Sequence, residues 1–175
     1  MKPVASVAAA LLATCLAPAP AAAAELFGGL YAHGVNTPLT LGGSPEGGID
    51  AQLGFRGSGI AGTRLEPYVF GALNSKGNTH YAAAGLAWKF GDRIYVRPGL
   101  GLAVHSGSAA NFSNPDNGKI EFGSRILFEP ELGIGARVND RLTIEASWVH
   151  LSHATLLGRQ NPGIDNIGVR LNLAL

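Results

Sequence analysis

The stretch from Arg141 to Trp148 alternates with a period of two, with Leu142, Ile144, Ala146 and Trp148 against Thr143, Glu145 and Ser147. Successive strand side chains point to opposite faces, so this is a β-strand with one apolar and one polar side. The pattern returns in Ile167, Val169, Leu171, Leu173 and Leu175 against Asn166, Gly168, Arg170 and Asn172. It is also present where Ile126, Phe128, Leu132 and Ile134 oppose Glu129, Glu131 and Arg137. Charges on the polar faces leave two outcomes. Either those faces meet water and the apolar ones a buried core, as in a soluble sandwich, or the apolar faces meet lipid and the charges pair inside a closed barrel.

Turn residues divide the chain into about eight strands, at roughly 25–35, 46–57, 64–75, 79–91, 93–107, 124–138, 141–154 and 165–175. The connections "SGIAGT", "GD" and "ND" are short or glycine-rich, whereas "NTPLTLGGSP", "SGSAANFSNPDNGKIEFG" and the stretch from His153 to Ile164 are long. Tight turns at one end and long loops at the other suit an up-and-down barrel of the outer-membrane type.

The opening "MKPVASVAAALLATCLAPAPAAAA" has Lys2, an apolar run too short to span a membrane and an alanine-rich end. It reads as a signal peptide over 1–24, leaving a barrel domain over 25–175. Cys15, the only cysteine, lies within it, so the mature chain has neither a disulfide framework nor a thiol nucleophile. Beyond the leader no long apolar run remains, which excludes a helical membrane protein and not a barrel. A net charge of +1 with 14% charged residues gives no basic patch for nucleic acid. With 25 glycines available for strand bending, the signal peptide and strand count favour an all-β, eight-stranded antiparallel up-and-down transmembrane β-barrel. Glu66, Arg97, Glu129, Glu131, Arg137 and Arg170 then fall on lumen faces, as a structural ion-pair network.

One polar group interrupts an apolar face. His150 and Ser152 are two apart and in phase with Leu142, Ile144, Ala146 and Trp148, so in a barrel they look outward. Their Cα atoms would lie about 6–7 Å apart. Asp165 is in phase with Ile167, Val169 and Leu171, and the last two strands are antiparallel neighbours, so all three residues meet near one rim. On a lipid face such residues are costly unless they cluster, reach the interface or work. Histidine, serine and a carboxylate are the parts of a hydrolytic triad of base, nucleophile and orienting acid. They are equally the parts of an interfacial hydrogen-bond cluster. Glu145 faces inward and is a poor choice of acid, and His153 falls on the opposite face or in the loop. His33, His80 and His105 stand singly near strand ends without metal-ligand spacing.

"HLSHATLLGRQNPGID" followed by "NIGVRL" resembles the lipid A 3-O-deacylases, the PagL-type outer-membrane acyloxyacyl hydrolases. The family pattern is His-x-Ser-Asn-Ala on the seventh strand and an Asn/Pro/Gly-rich loop before the eighth. His150, Ser152, Ala154 and the stretch from Asn161 to Ile164 match it. The resemblance is sharp over about 25 residues and architectural elsewhere. It implies His150 as base, Ser152 as nucleophile and Asp165 as acid, with Asn161 and His153 as oxyanion or substrate residues. His153 stands where the family usually has asparagine. Asp165 stands where its best-known member has glutamate, one methylene longer, which asks for a small backbone shift. The implied substrate is the 3-O-linked acyl ester of lipid A in lipopolysaccharide, in the outer leaflet of a Gram-negative outer membrane, with membrane lipid around the wall. No cofactor or metal is called for, and a homo-oligomer stays open. Trp148, Leu151 and Leu156 could shape an acyl contact, though Trp148 suits an interfacial belt better. The competing reading is a non-enzymatic barrel, structural or lipopolysaccharide-binding.

Overall fold

The computed structural model describes residues 23–38, 40, 44–110, 118–156 and 161–175. The expected signal peptide lies outside them, apart from Ala23 and Ala24. Eight antiparallel strands follow one another around a closed sheet. They are β1 (Glu25–Ala32), β2 (Ile49–Arg56), β3 (Leu65–Asn74), β4 (Tyr81–Trp88, continued past Lys89 by Phe90–Gly91), β5 (Ile94–His105), β6 (Ile126–Arg137), β7 (Leu142–Leu151) and β8 (Ile164–Ala174). Each pairs with its chain neighbours, and β1 closes the ring on β8 from Glu25 opposite Ala174 to Ala32 opposite Ile167. Closure leaves no free sheet edge, so the backbone groups of the wall are satisfied within it. This is the expected eight-stranded barrel. It differs at the end of β7, which stops its ladder with β8 at Leu151 and not near 154.

Burial is inverted relative to a soluble domain. Leu53, Leu73, Leu100, Ile134 and Leu171 are 65%, 67%, 53%, 55% and 52% exposed, while Arg56, Arg97 and Arg170 are fully buried. The sandwich alternative falls here, since one closed sheet turns its apolar side out and its charges in. Arg56 donates to Glu25 at 2.9 Å, Arg97 to Glu145 at 2.8 Å and Arg170 to Glu131 at 2.9 Å. The Arg56 and Arg170 guanidinium carbons also lie 4.9 and 4.7 Å from the Phe27 ring centre. Inward glycines make the room: a Cβ at Gly133 would come within 2.6 Å of the Glu145 carboxyl carbon, and one at Gly135 within 2.3 Å of the Tyr95 ring. Breaking one partner of such a buried pair costs about 3–5 kcal/mol, so the network stiffens the wall that carries the rim. Arg137 is a correction to the expected network. It lies exposed at the turn end of β6 and pairs with Asp92.

The loop end of the lumen holds an apolar plug, which the strand alternation did not foretell. Ile120 and Phe122, from the β5–β6 connection, join Leu127, Val149, Leu151 and Ile164 in a buried cluster. Leu151 is thus an inward core residue, and its expected place at an outward acyl contact is corrected. Period-two phasing with Val149 puts it there.

His33 is not single either. Its Nδ1 lies 2.8 Å from Asp50 and its Nε2 3.2 Å from Glu46. Glu46 also accepts the backbone N–H groups of Thr79 at 2.9 Å and Ile120 at 3.0 Å, so one carboxylate ties three loops. Burial alone would lower the His33 pKa, but hydrogen bonds to and charges on Asp50 and Glu46 raise it from 6.5 to about 9. Burial would likewise raise Glu46, but His33 and the two backbone donors hold it down from 4.5 to about 2. The tie is therefore at full strength between pH 4.5 and 6.5; it weakens as pH rises toward about 9 and as pH falls toward about 2. Amide exchange at Gly34 and Val35, corrected for intrinsic rates, should accelerate between pH 6.5 and 9. The His33→Gln variant should exchange fast throughout that range.

Candidate active site

The antiparallel register of β7 and β8 sets His150 directly opposite Asp165. Directly opposed residues bring their Cβ atoms within about 5.5 Å, and here His150 Nδ1 lies 2.8 Å from Asp165 Oδ1. The shorter acid therefore reaches the imidazole from its cross-strand position. His150 Nε2 lies 2.9 Å from the Ser152 hydroxyl. A carboxylate only accepts, so Nδ1 carries the proton and Nε2 is left to accept from the serine.

Ser152 is held from the other side. Having left the β8 ladder, it exchanges backbone hydrogen bonds with Phe128 of β6, at 2.7 and 3.2 Å. Ala154 and Thr155 then take positive φ values of 53° and 59°, which turn the chain off the strand. Gly163, returning toward β8, lies under the imidazole: a Cβ there would come within 2.7 Å of His150 Cε1.

Facing follows the strand phases. His150 follows the exposed Ile144 and half-buried Trp148, and Asp165 precedes the exposed Ile167, Val169 and Leu171. His150 and Ser152 remain 7% and 6% exposed, whereas Asp165 is fully covered. Trp148 supplies part of the cover, its indole N–H donating to Asp165 Oδ1 at 2.8 Å and its ring stacking on His150 at 5.9 Å. This contact goes beyond a belt role. The rest comes from the β1–β2 loop, where the Thr37 and Thr40 hydroxyls both donate to Asp165 Oδ2. Sequence reasoning missed both threonines. They lie 128 and 125 positions from the aspartate in an irregular loop, and no periodicity signals such a contact.

His153 is fully buried, and neither ring nitrogen has a hydrogen-bond partner among the described residues; Asn161 Oδ1 is in the same state. No hydrogen bond among the described residues joins either residue to Ser152. Glu145 is committed to Arg97 and Arg170 inside the lumen. His80 accepts the Asn74 N–H at 2.9 Å, and His105 donates to the Ser124 carbonyl at 2.7 Å, so both serve the loops. A serine, an unprotonated imidazole nitrogen and an ionisable acid in one hydrogen-bonded line can carry out acyl transfer.

The fold is similar to the crystal structure of the outer membrane enzyme PagL, at 19% identity over 86% of this chain and 99% of that one, with a TM-score of 0.57. It is also similar to Neisserial surface protein A, at 12% identity over 90% and 100% of the two chains, with a TM-score of 0.60. No curated protein matches the sequence. These similarities show the fold, and a fold alone does not assign an activity. The family model described as lipid A 3-O-deacylase (PagL) matches residues 31–174, a stretch that includes both strands of the rim cluster. The protein is an outer-membrane barrel of a Gram-negative bacterium. With that match across most of its length, the chain belongs to the lipid A 3-O-deacylase (PagL) family.

Proposed function

We propose that this protein is a serine esterase that hydrolyses the 3-O-linked acyl chain of lipid A, with Ser152 as nucleophile, His150 as base and Asp165 as orienting acid. The observation that carries the reading is the unbroken line from Asp165 through His150 to Ser152 on the lipid side of the rim. The ester of an outer-leaflet glycolipid lies where sugar meets acyl chain, beside that rim, so the lipid need not leave the membrane.

In the first half-reaction Ser152 Oγ attacks the ester carbonyl as its proton passes to His150 Nε2. Asp165 stabilises the imidazolium without taking the proton. Collapse of the tetrahedral intermediate breaks the bond to the sugar oxygen, which takes the proton from His150. Water then attacks the acyl-serine with His150 again as base, releasing the fatty acid and restoring Ser152. Asn161 and His153 are assigned to the oxyanion, Asn161 because its side-chain N–H₂ can donate and His153 because its ring nitrogens have no hydrogen-bond partner among the described residues. Preorganised donors of this kind contribute about 3–4 kcal/mol.

Lipopolysaccharide incubated with reconstituted protein should yield lipid A lighter by one 3-hydroxyacyl chain, lost from position 3, when measured by mass spectrometry. Unchanged lipid A with a folded barrel would instead mean a structural or binding role. Gly163→Ala is expected to reduce the rate about tenfold to a hundredfold by displacing the imidazole, since misplacement on the order of 1 Å costs that much. Initial rates check this, with the heat-dependent gel shift of the folded barrel as control. An unchanged rate would show that Gly163 does not confine the ring.

A further inference from the structure

Asp165 sits on the lipid side of the barrel wall, yet no part of it is exposed. Its carboxylate accepts four hydrogen bonds, two on each oxygen. Oδ1 takes the His150 and Trp148 N–H groups at 2.8 Å each, and Oδ2 takes the hydroxyls of Thr37 and Thr40. An ionised carboxylate has about four lone-pair sites, so this one is saturated by protein alone.

The loop bearing the threonines is anchored on both sides of the acid. Val35 N–H donates to the Asp165 carbonyl at 2.8 Å, and Gly34 N–H to the Asn166 side chain at 3.1 Å. A turn in which Thr40 N–H reaches the Thr37 carbonyl at 3.1 Å brings both hydroxyls to one place. The feet of the loop are held in the lumen through His33 and Glu46. Gly34, Val35, Thr37 and Thr40 of this loop thus lie against the start of β8.

We propose that Thr37 and Thr40 are positioning residues for the hydrolytic site, a proposal that rests on the triad reading above. A carboxylate at a lipid-facing rim without water needs donors to remain charged and in one orientation. A lysine or arginine would supply them but would cancel the negative field that the imidazolium depends on. Two neutral hydroxyls solvate Oδ2 and leave the charge in place. They also fix the carboxylate rotation, so that Oδ1 is kept for His150.

The test uses the full-length barrel reconstituted with lipopolysaccharide, comparing Thr37→Val, Thr40→Val and the double variant with the serine replacements. Valine keeps the shape and removes the donor; serine keeps the donor. Valine should lower kcat about 10- to 100-fold, in the range of lost supporting hydrogen bonds, with KM nearly unchanged, and serine should restore most of it. In an Asp165→Asn background the valine changes should cost almost nothing more, because they act through the acid. Should the double variant not fold, the single variants carry the same comparison. Wild-type kcat in folded valine variants, a rise in KM alone, or an equal further loss in the Asp165→Asn background would overturn the proposal. Those results leave the triad standing if Ser152→Ala is inactive. An active Ser152→Ala would remove the triad itself.

Discussion

Ser152→Ala, reconstituted as a folded barrel, is expected to lose at least about a thousandfold in the rate of fatty-acid release, the scale on which nucleophile removal acts in serine hydrolases. Ser152 is tied to Phe128 by two backbone hydrogen bonds that alanine keeps, and among the described residues its hydroxyl is hydrogen-bonded to His150 alone. The gel shift of the folded barrel should therefore match wild type. Rate loss with an intact barrel separates chemistry from folding, and a variant with near-wild-type release would remove Ser152 from the reaction.

Asp165→Asn is expected to lose about 10⁴-fold in kcat, as when a triad acid becomes an amide and the imidazole is held in the wrong tautomer. The amide would turn its N–H₂ toward His150 or toward the threonine hydroxyls, and either choice breaks the line of donors on Asp165. Asp165→Glu is the informative partner, since the family's best-known member carries glutamate. Here the aspartate already reaches His150 at 2.8 Å and is closed in by Trp148, Thr37 and Thr40. The added methylene has no space, and roughly a tenfold loss is expected from misplacement. Initial rates of both variants check this pair, and a glutamate variant faster than wild type would show that the pocket is not fitted to aspartate.

The wall was legible because alternation is local. The phases of Leu142 to Trp148 and Ile167 to Leu175 fix which side faces out, and antiparallel pairing of consecutive strands then brings His150 opposite Asp165. Leu151 was legible by the same rule and was nonetheless expected at the acyl contact; its phase with Val149 places it inside. Depth along the barrel axis is another matter. Arg137 has the right phase for the lumen but lies at its exposed mouth, and alternation gives a face without a height. Loops carried the rest. The plug of Ile120 and Phe122, the His33–Glu46–Asp50 tie and the two threonine hydroxyls all depend on irregular backbone folding onto distant strands, which no spacing encodes.

The most direct measurement of the central claim is covalent trapping of Ser152 by a long-chain alkyl phosphonofluoridate dissolved in the lipid phase, located by peptide mass spectrometry. An activated serine on the lipid side should give one adduct, on the peptide carrying Ser152, in the folded protein. Labelling should disappear in a folded His150→Asn variant and after heat denaturation. An adduct on another serine, or equal labelling of Ser152 without His150, would contradict the claim that these residues form an activated nucleophile facing the membrane.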